Sequence, residues 1–546
     1  MQQDWRAATP QYSEFQSILD NYANTSPRSF IEMQPRLGAA LSKFDALDSL
    51  TRVLLVNAPD NAIYRQLICE SLKECNKPVV RIESLSVDNL FGRYQLDSGE
   101  IKAISPGYLQ QAESGYLVVS ANMLLANPRC WSLLKSALLG EAVEAINVND
   151  KQLCPTPPKQ NYQVKLIVVG DRTQMGDLEY FDHDFTTGFS MFSEIELEYK
   201  LDGKTLPNYL GYLQWLTERF SLVPLESAAL ETVLAAGARE SEDQRVAPLC
   251  LLWYNALLAE AAIESSESTI TQNGVKQAIE QKYYRESYLT LRAVDDILDG
   301  QVIIETKGEQ VGQVNGLTVV DIPGHPISYG EPARISCVIH FGDGDISDVE
   351  RKADLGGNLH AKGMMIMQAF LSSAMNLDEP LPYSASIVFE QSYCEVDGDS
   401  ASLAELCCLV SALSEQPINQ QIAVTGAVDQ FGRIQAVGGL NEKIEGFFHV
   451  CQHQGLTGEQ GVILPQTNLK HLALHDDVIE AIKTGQFHLW SAETVDDAIP
   501  LLMGKPLRGE EEDTLLNRIA NRIDEFERDA QPNRLIDRIK QWFDHN

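Results

Sequence analysis

The chain has 546 residues, which at about 100–200 residues per domain suggests roughly three to five domains. Hydrophobic residues make up 44% of the sequence and charged residues 22%, which excludes a mostly disordered chain. The 43 basic and 77 acidic side chains give a net charge of −34, which disfavours nucleic acids and anionic membranes as partners.

The ten cysteines form no C-x-x-C pair, which predicts reduced thiols. The first fifteen residues contain no basic stretch followed by an apolar core, so no secretory signal peptide is expected. No apolar run approaches the ~18 residues that a membrane helix needs. We therefore expect a cytoplasmic protein with no membrane or nucleic-acid partner.

The first half of the chain predicts an α/β domain followed by helices. Residues 1–48 predict a helical N-terminal segment, and 49–204 contain apolar runs that alternate with helical patterns, which predicts a parallel sheet. From 205 to 298, Leu, Ala and Glu recur at spacings of three and four, as in helices. The predicted strands are 53–56, 78–82, 116–119 and 164–169.

The second half predicts a separate α+β domain over 299–505 and a helical acidic tail over 506–546. The tail contains two amphipathic segments, which begin at Leu515 and Leu535. The predicted strands of the α+β domain are 302–304, 317–320 and 335–339, and its predicted helices are 362–374, 400–413 and 441–454.

A glycine-containing polar turn, Val396-Asp397-Gly398-Asp399-Ser400, leads into an apolar helical pattern. It places Ser400 at a helix N-terminus, where free backbone N–H groups and the helix dipole favour a developing oxyanion. Since helix caps far outnumber nucleophiles, this segment alone favours a serine that only caps the helix.

A serine nucleophile needs a base, and the chain has neither a G-x-S-x-G elbow nor an S-x-x-K motif at Ser400. Residues 425–443 predict two short strands, a Gly-Gly turn and a helix that begins near Leu440. Lys443 then lies in the first helical turn, where the dipole and apolar neighbours would lower its pKa and make it a usable base. The alternative is an ordinary surface lysine that pairs with Glu442.

Taken together, VDGDSAS at 396–402 and TGAV…GR…VGGLNEK at 425–443 resemble the proteolytic domain of B-type Lon-family peptidases. Thr425 follows Ser400 by 25 residues and Lys443 follows Thr425 by 18, as in that family. FEQSY at 389–393 and the H-x-K-G turn at His360 extend the resemblance, which covers roughly 300–505.

The resemblance implies a serine endopeptidase with Ser400 as nucleophile and Lys443 as general base. Thr425 would hold the lysine amine by a hydrogen bond, and Asp397 and Glu390 would line the site. It also implies a homo-oligomer, in this family a hexameric ring, that acts on unfolded proteins or peptides.

Residues 50–290 resemble the AAA+ module of Lon proteins, in segments such as 88–92, 104–109 and 238–245. A phosphate loop needs G-x-x-x-x-G-K-[ST], but 57–64 read NAPDNAIY, with Ile63 in place of the lysine. Ser120-Ala121-Asn122 stands where a Mg²⁺-organising acidic pair is expected. We predict a degenerate module without cofactor. A conventional ATP-dependent protease and a non-catalytic scaffold are the alternatives.

Three further features favour structural interpretations. His449 with His453, and His471 with His475, lie four residues apart without an accompanying carboxylate motif, so we predict surface histidines and no metal site. Residues 342–345 (GDGD) lack the closing glutamate of a calcium loop and predict a turn. The cysteines at 407 and 408 predict core packing.

Overall fold

The computed structural model describes residues 1–530 except 74, 98–99, 148–158, 266–267, 343, 376–382, 393–395 and 511–512. The chain forms two compact units. The first comprises Met1–Asp20, Leu225–Pro248 and the chain from Ala256 onward, and the second comprises Asn21–Pro224 and Leu249–Asn255. The five-part division expected from the sequence is finer than these two units and stays a prediction.

The chain up to residue 219 alternates strands and helices. In order, its elements are α1 (Gln16–Asp20), α2 (Pro35–Ala46), β1 (Val53–Asn57), α3 (Ala62–Lys73), β2 (Val79–Arg81), α4 (Val87–Phe91), β3 (Gly92–Asp97), β4 (Glu100–Pro106), α5 (Tyr108–Gln111), β5 (Tyr116–Ser120), α6 (Ala121–Leu125), α7 (Pro128–Leu138), β6 (Ile146–Asn147), β7 (Lys165–Gly170), α8 (Arg172–Phe181), β8 (Ser190–Glu194), β9 (Glu198–Lys200) and α9 (Leu206–Arg219).

The second unit is built on a five-stranded sheet in the order β2-β5-β7-β1-β8, in which every neighbouring pair is parallel. All five residues of β5 are buried, as are five of the six in β7. Strands buried on both faces have continuous apolar sequences, and this explains why the apolar runs predicted them correctly. The predicted parallel α/β sheet is confirmed.

Helices and one short strand follow as α10 (Leu230–Glu240), β10 (Val246–Pro248), α11 (Leu251–Ser265), α12 (Gln272–Glu286) and α13 (Tyr288–Leu298). The remaining elements are β11 (Glu309–Gln310), β12 (Gln313–Val320), β13 (Tyr329–Phe341), β14 (Ile346–Asp348), α14 (Val349–Lys352), α15 (Asn358–Met375), β15 (Tyr383–Phe389), α16 (Ser402–Ser414), β16 (Ile418–Asn419), β17 (Ile422–Val424), β18 (Ala427–Val428), β19 (Ile434–Gln435), α17 (Leu440–Gln454), β20 (Gln460–Pro465), α18 (Asp476–Lys483), β21 (Phe487–Ala492), α19 (Val495–Met503) and α20 (Leu515–Ala530).

The first unit contains a mixed seven-stranded sheet in the order β14-β15-β13-β12-β17-β20-β21. Side chains of α15, α16 and α19 form one apolar core with the sheet, and side chains of α17 and α18 form a second core with it. Every residue of α16 is buried, so this helix lies inside the unit and not on its surface. The predicted α+β domain is confirmed.

The prediction of a strand at 302–304 is wrong, since this segment forms neither helix nor strand. The backbone N–H of Ile303 donates to the side-chain oxygen of Gln391 (2.8 Å), and that of Val302 donates to the carbonyl of Asp296 (3.1 Å). Ile304 is nevertheless buried, against Val450 among others. The apolar character of this run reflects burial of one side chain and not strand pairing.

The two ends of the chain also differ in part from expectation. Residues 1–48 contain only two short α-helices and three 3₁₀ turns, and Ala8 packs into the core beside α17 and α18. The amphipathic segment from Leu515 forms α20, whereas the one from Leu535 lies outside the described residues. No helix in the described part of the chain is both long and apolar enough to cross a bilayer.

Candidate active site

Ser400 lies in the turn immediately before α16 and is half-buried. Its carbonyl oxygen accepts a hydrogen bond from the backbone N–H of Gly426 (2.9 Å). Gly398, two residues earlier, has φ +117°, a conformation that side chains other than glycine rarely adopt. The sequence of this turn therefore fixes the backbone that presents the serine hydroxyl.

Lys443 is the fourth residue of α17, and only 4% of it is exposed. Its Nζ donates a hydrogen bond to Ser400 Oγ over 3.1 Å. The helix begins after Gly439, whose φ of +61° supplies the left-handed turn that the Gly-Gly pair predicted. The serine turn and the lysine helix, 43 residues apart, thus bring the two groups into contact.

The helix that carries Lys443 approaches β13 very closely. A Cβ atom on Gly330 of β13 would lie 2.1 Å from the carbonyl oxygen of Glu442, and one on Gly446 would lie 2.0 Å from the carbonyl oxygen of Gly330. Only glycine permits this approach of backbone to backbone. The position of the lysine amine is therefore set by the packing of α17 on the sheet.

Burial lowers the pKa of Lys443 to about 8, because the charged ammonium is poorly solvated there. The negative charges of Asp399 and Glu442 oppose this shift. A lysine with such a pKa is partly neutral near physiological pH, and a neutral amine can accept a proton from the adjacent hydroxyl.

Three residues, Thr425, Asp397 and Glu390, are predicted to support the site, and each has different surroundings in the structure. Thr425 is fully buried beside Ser400, but its hydroxyl donates to the Ser400 carbonyl oxygen (3.4 Å). Among the described residues it forms no hydrogen bond with Lys443, so the expected contact with the amine is absent.

Asp397 is exposed, and its Oδ1 accepts hydrogen bonds from the backbone N–H groups of Gly398 (3.0 Å) and Leu359 (3.1 Å). Glu390 accepts a hydrogen bond from the Ser336 hydroxyl over 2.7 Å. In the described part of the chain, neither carboxylate forms a hydrogen bond or ion pair with Ser400 or Lys443. They hold the loop and strands around the site, and a direct role for either stays a prediction.

The degenerate phosphate loop of the second unit, 57–64, is held by its own side chains. The Asp60 carboxylate accepts hydrogen bonds from the Ser120 hydroxyl (2.5 Å) and the Gln174 amide (3.2 Å), and it forms an ion pair with Arg65. A carboxylate at this point repels phosphate, and Ile63 supplies no positive charge. The residues present do not fit a nucleotide–Mg²⁺ complex.

Comparison with known proteins identifies the family of the chain. Residues 386–505 match the family model described as the Lon protease (S16) C-terminal proteolytic domain, and residues 75–196 match the LonB-like AAA domain. A Lon protease homolog of Escherichia coli (strain K12) is 37% identical over 557 residues, covering 95% of this chain and 94% of that protein. The chain belongs to the Lon protease family.

Other Lon relatives cover less of the chain. A Lon protease homolog of Haemophilus influenzae is 40% identical over 428 residues, which span 78% of this chain and 71% of that protein. The archaeal Lon protease of Methanocaldococcus jannaschii is 26% identical over 45% of this chain and 36% of its own length.

This Lon-family chain contains a buried charged cluster that our sequence reasoning missed. His360 of α15 lies with its Nε2 3.1 Å from Asp348 and its Nδ1 3.7 Å from Glu405, and Glu350 is buried nearby. Glu405 belongs to the first turn of α16, and its backbone N–H donates to the carbonyl of Ala401 (2.9 Å). It is the one charged residue in a helix whose other residues are apolar or serine, a signal that could have identified it.

One histidine of each predicted pair lies beside a carboxylate. His449 lies 3.4 Å from Asp477, and His475 lies 3.5 Å from Glu445. No group of three or more His, Cys, Asp or Glu side chains among the described residues could hold a metal ion. Cys407 and Cys408 are fully buried in α16, as their predicted packing role requires, whereas Cys154 and Cys394 lie outside the described residues.

The first testable consequence concerns the charged cluster. Burial, followed by the negative charges of Asp348 and Glu350, raises the pKa of Glu405 to about 7, against the opposing charge of His360. A carboxyl group with a raised folded-state pKa destabilises the fold increasingly as pH rises from its unfolded value of about 4.3 to its folded one. We expect Glu405→Gln to gain stability relative to the wild-type protein as pH rises from about 4.3 to about 7, with no further change above that.

Urea unfolding at several pH values measures this difference. Glu415→Gln, at the exposed residue that directly follows α16, is the control and should show no such trend. A Glu405→Gln stability difference that stays constant, or falls, as pH rises would contradict the charge state assigned to the cluster.

Proposed function

We propose that this Lon-family protein is a serine endopeptidase that uses a Ser400–Lys443 dyad and does not hydrolyse ATP. The observation that carries the proposal is the buried Lys443 amine within 3.1 Å of the Ser400 hydroxyl. A serine hydroxyl is inert at neutral pH without a base, and no other basic side chain in the described part of the chain forms a hydrogen bond with it.

In the proposed reaction, neutral Lys443 takes the proton of Ser400 as Oγ attacks the peptide carbonyl. The resulting ammonium then gives this proton to the leaving amine, which breaks the peptide bond and leaves an acyl ester on Ser400. Lys443, neutral again, removes a proton from water as the water oxygen attacks the ester carbonyl. The bond to Oγ then breaks, the acid product leaves, and the ammonium of Lys443 returns the proton to Ser400 Oγ. With a pKa of about 8, about a tenth of the lysine is neutral at pH 7.

The absence of ATP hydrolysis follows from the phosphate loop. The loop has no lysine at position 63 to neutralise the β/γ-phosphates, and Asp60 places a negative charge among Ser120, Gln174 and Arg65. Without ATP hydrolysis the chain has no energy source for pulling stable folds apart, so its substrates would be unfolded proteins, peptides, or proteins that open spontaneously. The proposal also includes a hexameric ring, which the family likeness suggests, and a cytoplasmic location, which the sequence suggests.

Substitution of the dyad tests the catalytic assignment. Ser400→Ala should abolish casein cleavage, because it removes the attacking oxygen while leaving the fold unchanged. Lys443→Arg should be as inactive as Lys443→Ala, since a guanidinium stays protonated at any working pH and cannot accept the serine proton.

Ser414→Ala, at the last residue of α16, and Lys483→Arg, in α18, are the matched controls and should keep wild-type turnover. Turnover by Ser400→Ala at the wild-type rate would refute the nucleophile. Turnover by Lys443→Arg would show that the lysine only binds or positions.

Nucleotide addition tests the second half of the proposal. ATP–Mg²⁺ should leave the cleavage of unfolded casein unchanged, and phosphate release should equal that of a protein-free blank. Ile63→Lys should not restore hydrolysis, because Asp60 and Ser120 would remain in place.

A stably folded protein added as substrate separates this proposal from a conventional ATP-dependent protease. We expect its cleavage rate to follow its spontaneous unfolding rate or population, with or without ATP. Degradation that requires ATP would establish the conventional alternative.

A further inference from the structure

The helix that carries Lys443 contacts a second element besides the sheet. Arg239 of α10 forms two hydrogen bonds with the Glu445 carboxylate, from Nη1 to Oε1 over 2.6 Å and from Nη2 to Oε2 over 2.8 Å. Nη2 also donates to Glu442 over 3.4 Å, and Nη1 donates to the carbonyl of Ala473 over 3.0 Å. A two-point guanidinium–carboxylate pair fixes both position and orientation.

The two acidic partners flank the lysine in sequence. Glu442 immediately precedes Lys443, and Glu445 lies two residues after it on α17. Only 7% of the Glu445 side chain and 21% of the Glu442 side chain are exposed, so water screens their charges poorly. Arg239 is therefore tied to the turn of helix that carries the proposed base.

The charges around Arg239 are complementary. Although burial raises it, the pKa of Glu445 stays below its ordinary value because Arg239 and His475 lie beside it. The His475 backbone N–H donates to the same carboxylate over 2.9 Å, and Tyr283 of α12 is the other titratable group that faces Arg239. Every oxygen of Glu445 thus has a donor, and the ionised carboxylate is satisfied.

We infer that Arg239 is a positioning residue for the catalytic lysine: from α10 it clamps α17 against β13 and neutralises the two carboxylates next to Lys443. The inference rests on the proposed function, since it presumes that Lys443 is the base. The segment Leu225–Pro248, which contains α10, belongs to the same compact unit as the dyad. The part of the chain that resembles an AAA+ lid would thereby serve peptide cleavage directly.

The charges around Lys443 predict the direction in which its pKa changes when Arg239 is removed. The negative groups that face Lys443 are Asp399 on the serine turn and Glu442 on its own helix, and both raise the pKa of the lysine. Removing Arg239 leaves the Glu442 charge without its counter-charge. The pKa of Lys443 should then rise, and less of the lysine is neutral at a given pH.

The experiment compares Arg239→Met with the wild-type protein on a short fluorogenic peptide between pH 6 and 9.5, well below the unfolding temperature. We expect kcat at pH 7.5 to fall about tenfold or more while KM changes less than about threefold. The pH midpoint of kcat should move upward by about half a unit or more. A variant with wild-type kcat and midpoint would overturn the inference.

Arg285→Met is the matched control, because Arg285 pairs with Glu260 between α12 and α11 at 2.8 Å and, in the described part of the chain, forms no hydrogen bond or ion pair with α17. It should leave both kcat and its midpoint unchanged. The reciprocal variant, Arg239→Glu with Glu445→Arg, should recover part of the lost kcat. A loss of stability alone would lower the melting temperature without moving the pH midpoint.

Arg239→Lys provides the test if Arg239→Met does not fold. It keeps the charge but cannot form the two-point pair, so we expect the wild-type midpoint with a lowered kcat. Wild-type kcat in Arg239→Lys would then overturn the positioning role. Inactivity of Ser400→Ala and Lys443→Arg alongside a fully active Arg239→Met would reject only this inference, whereas activity of Ser400→Ala would reject the proposed function itself.

Discussion

The burial of one lysine amine is the constraint on which the candidate active site depends. Lys443 is 4% exposed, and its amine meets the Ser400 hydroxyl in a region where a charged ammonium is poorly solvated. A buried lysine is unfavourable for folding, so the surrounding structure has to hold it there. The site is for this reason an extension of the core and not a feature of a surface loop.

The surrounding packing explains how the lysine is held. Glycines at 330 and 446 let α17 lie directly on β13, and the wholly buried α16 fixes the turn that carries Ser400. The hydrogen bond from the Gly426 N–H to the Ser400 carbonyl joins this turn to the segment that leads into the lysine helix. The approach of α17 to β13 and the hydrogen bond between Gly426 and Ser400 both join backbone atoms, so the backbone itself brings the two reactive groups close together.

The second unit keeps a parallel sheet although its phosphate loop lacks the lysine of the G-x-x-x-x-G-K-[ST] pattern. Its five parallel strands are stabilised by apolar burial, which does not depend on the phosphate loop. In that loop, Asp60 satisfies the polar groups around it from within the chain. The same carboxylate that completes the local hydrogen bonding therefore makes the loop unsuited to phosphate.

The sequence predicts the parts of this structure in which a local pattern has a single physical cause. Continuous apolar runs mark the buried strands of the second unit, and the spacing of Ser400, Thr425 and Lys443 marks the family. The run at 302–304 misleads, because apolar composition does not reveal that Gln391 accepts the Ile303 N–H.

Local sequence patterns cannot predict ion pairs between residues that are far apart in the sequence. Arg239 and Glu445 are separated by 206 residues, and His360 meets Asp348 and Glu405 from different elements. The acceptor of the Thr425 hydroxyl could not be predicted either, since it depends on the direction of one side chain within a buried turn.

The most direct test of the account is the rate at which a fluorophosphonate probe labels Ser400 as a function of pH, followed by mass spectrometry of the labelled peptide. If buried Lys443 activates the serine, labelling should rise about tenfold per pH unit below a midpoint near 8, level off above it, and disappear in Lys443→Ala. Labelling of Ser400 that is independent of pH from about 6 to 9, or undiminished in Lys443→Ala, would contradict the account.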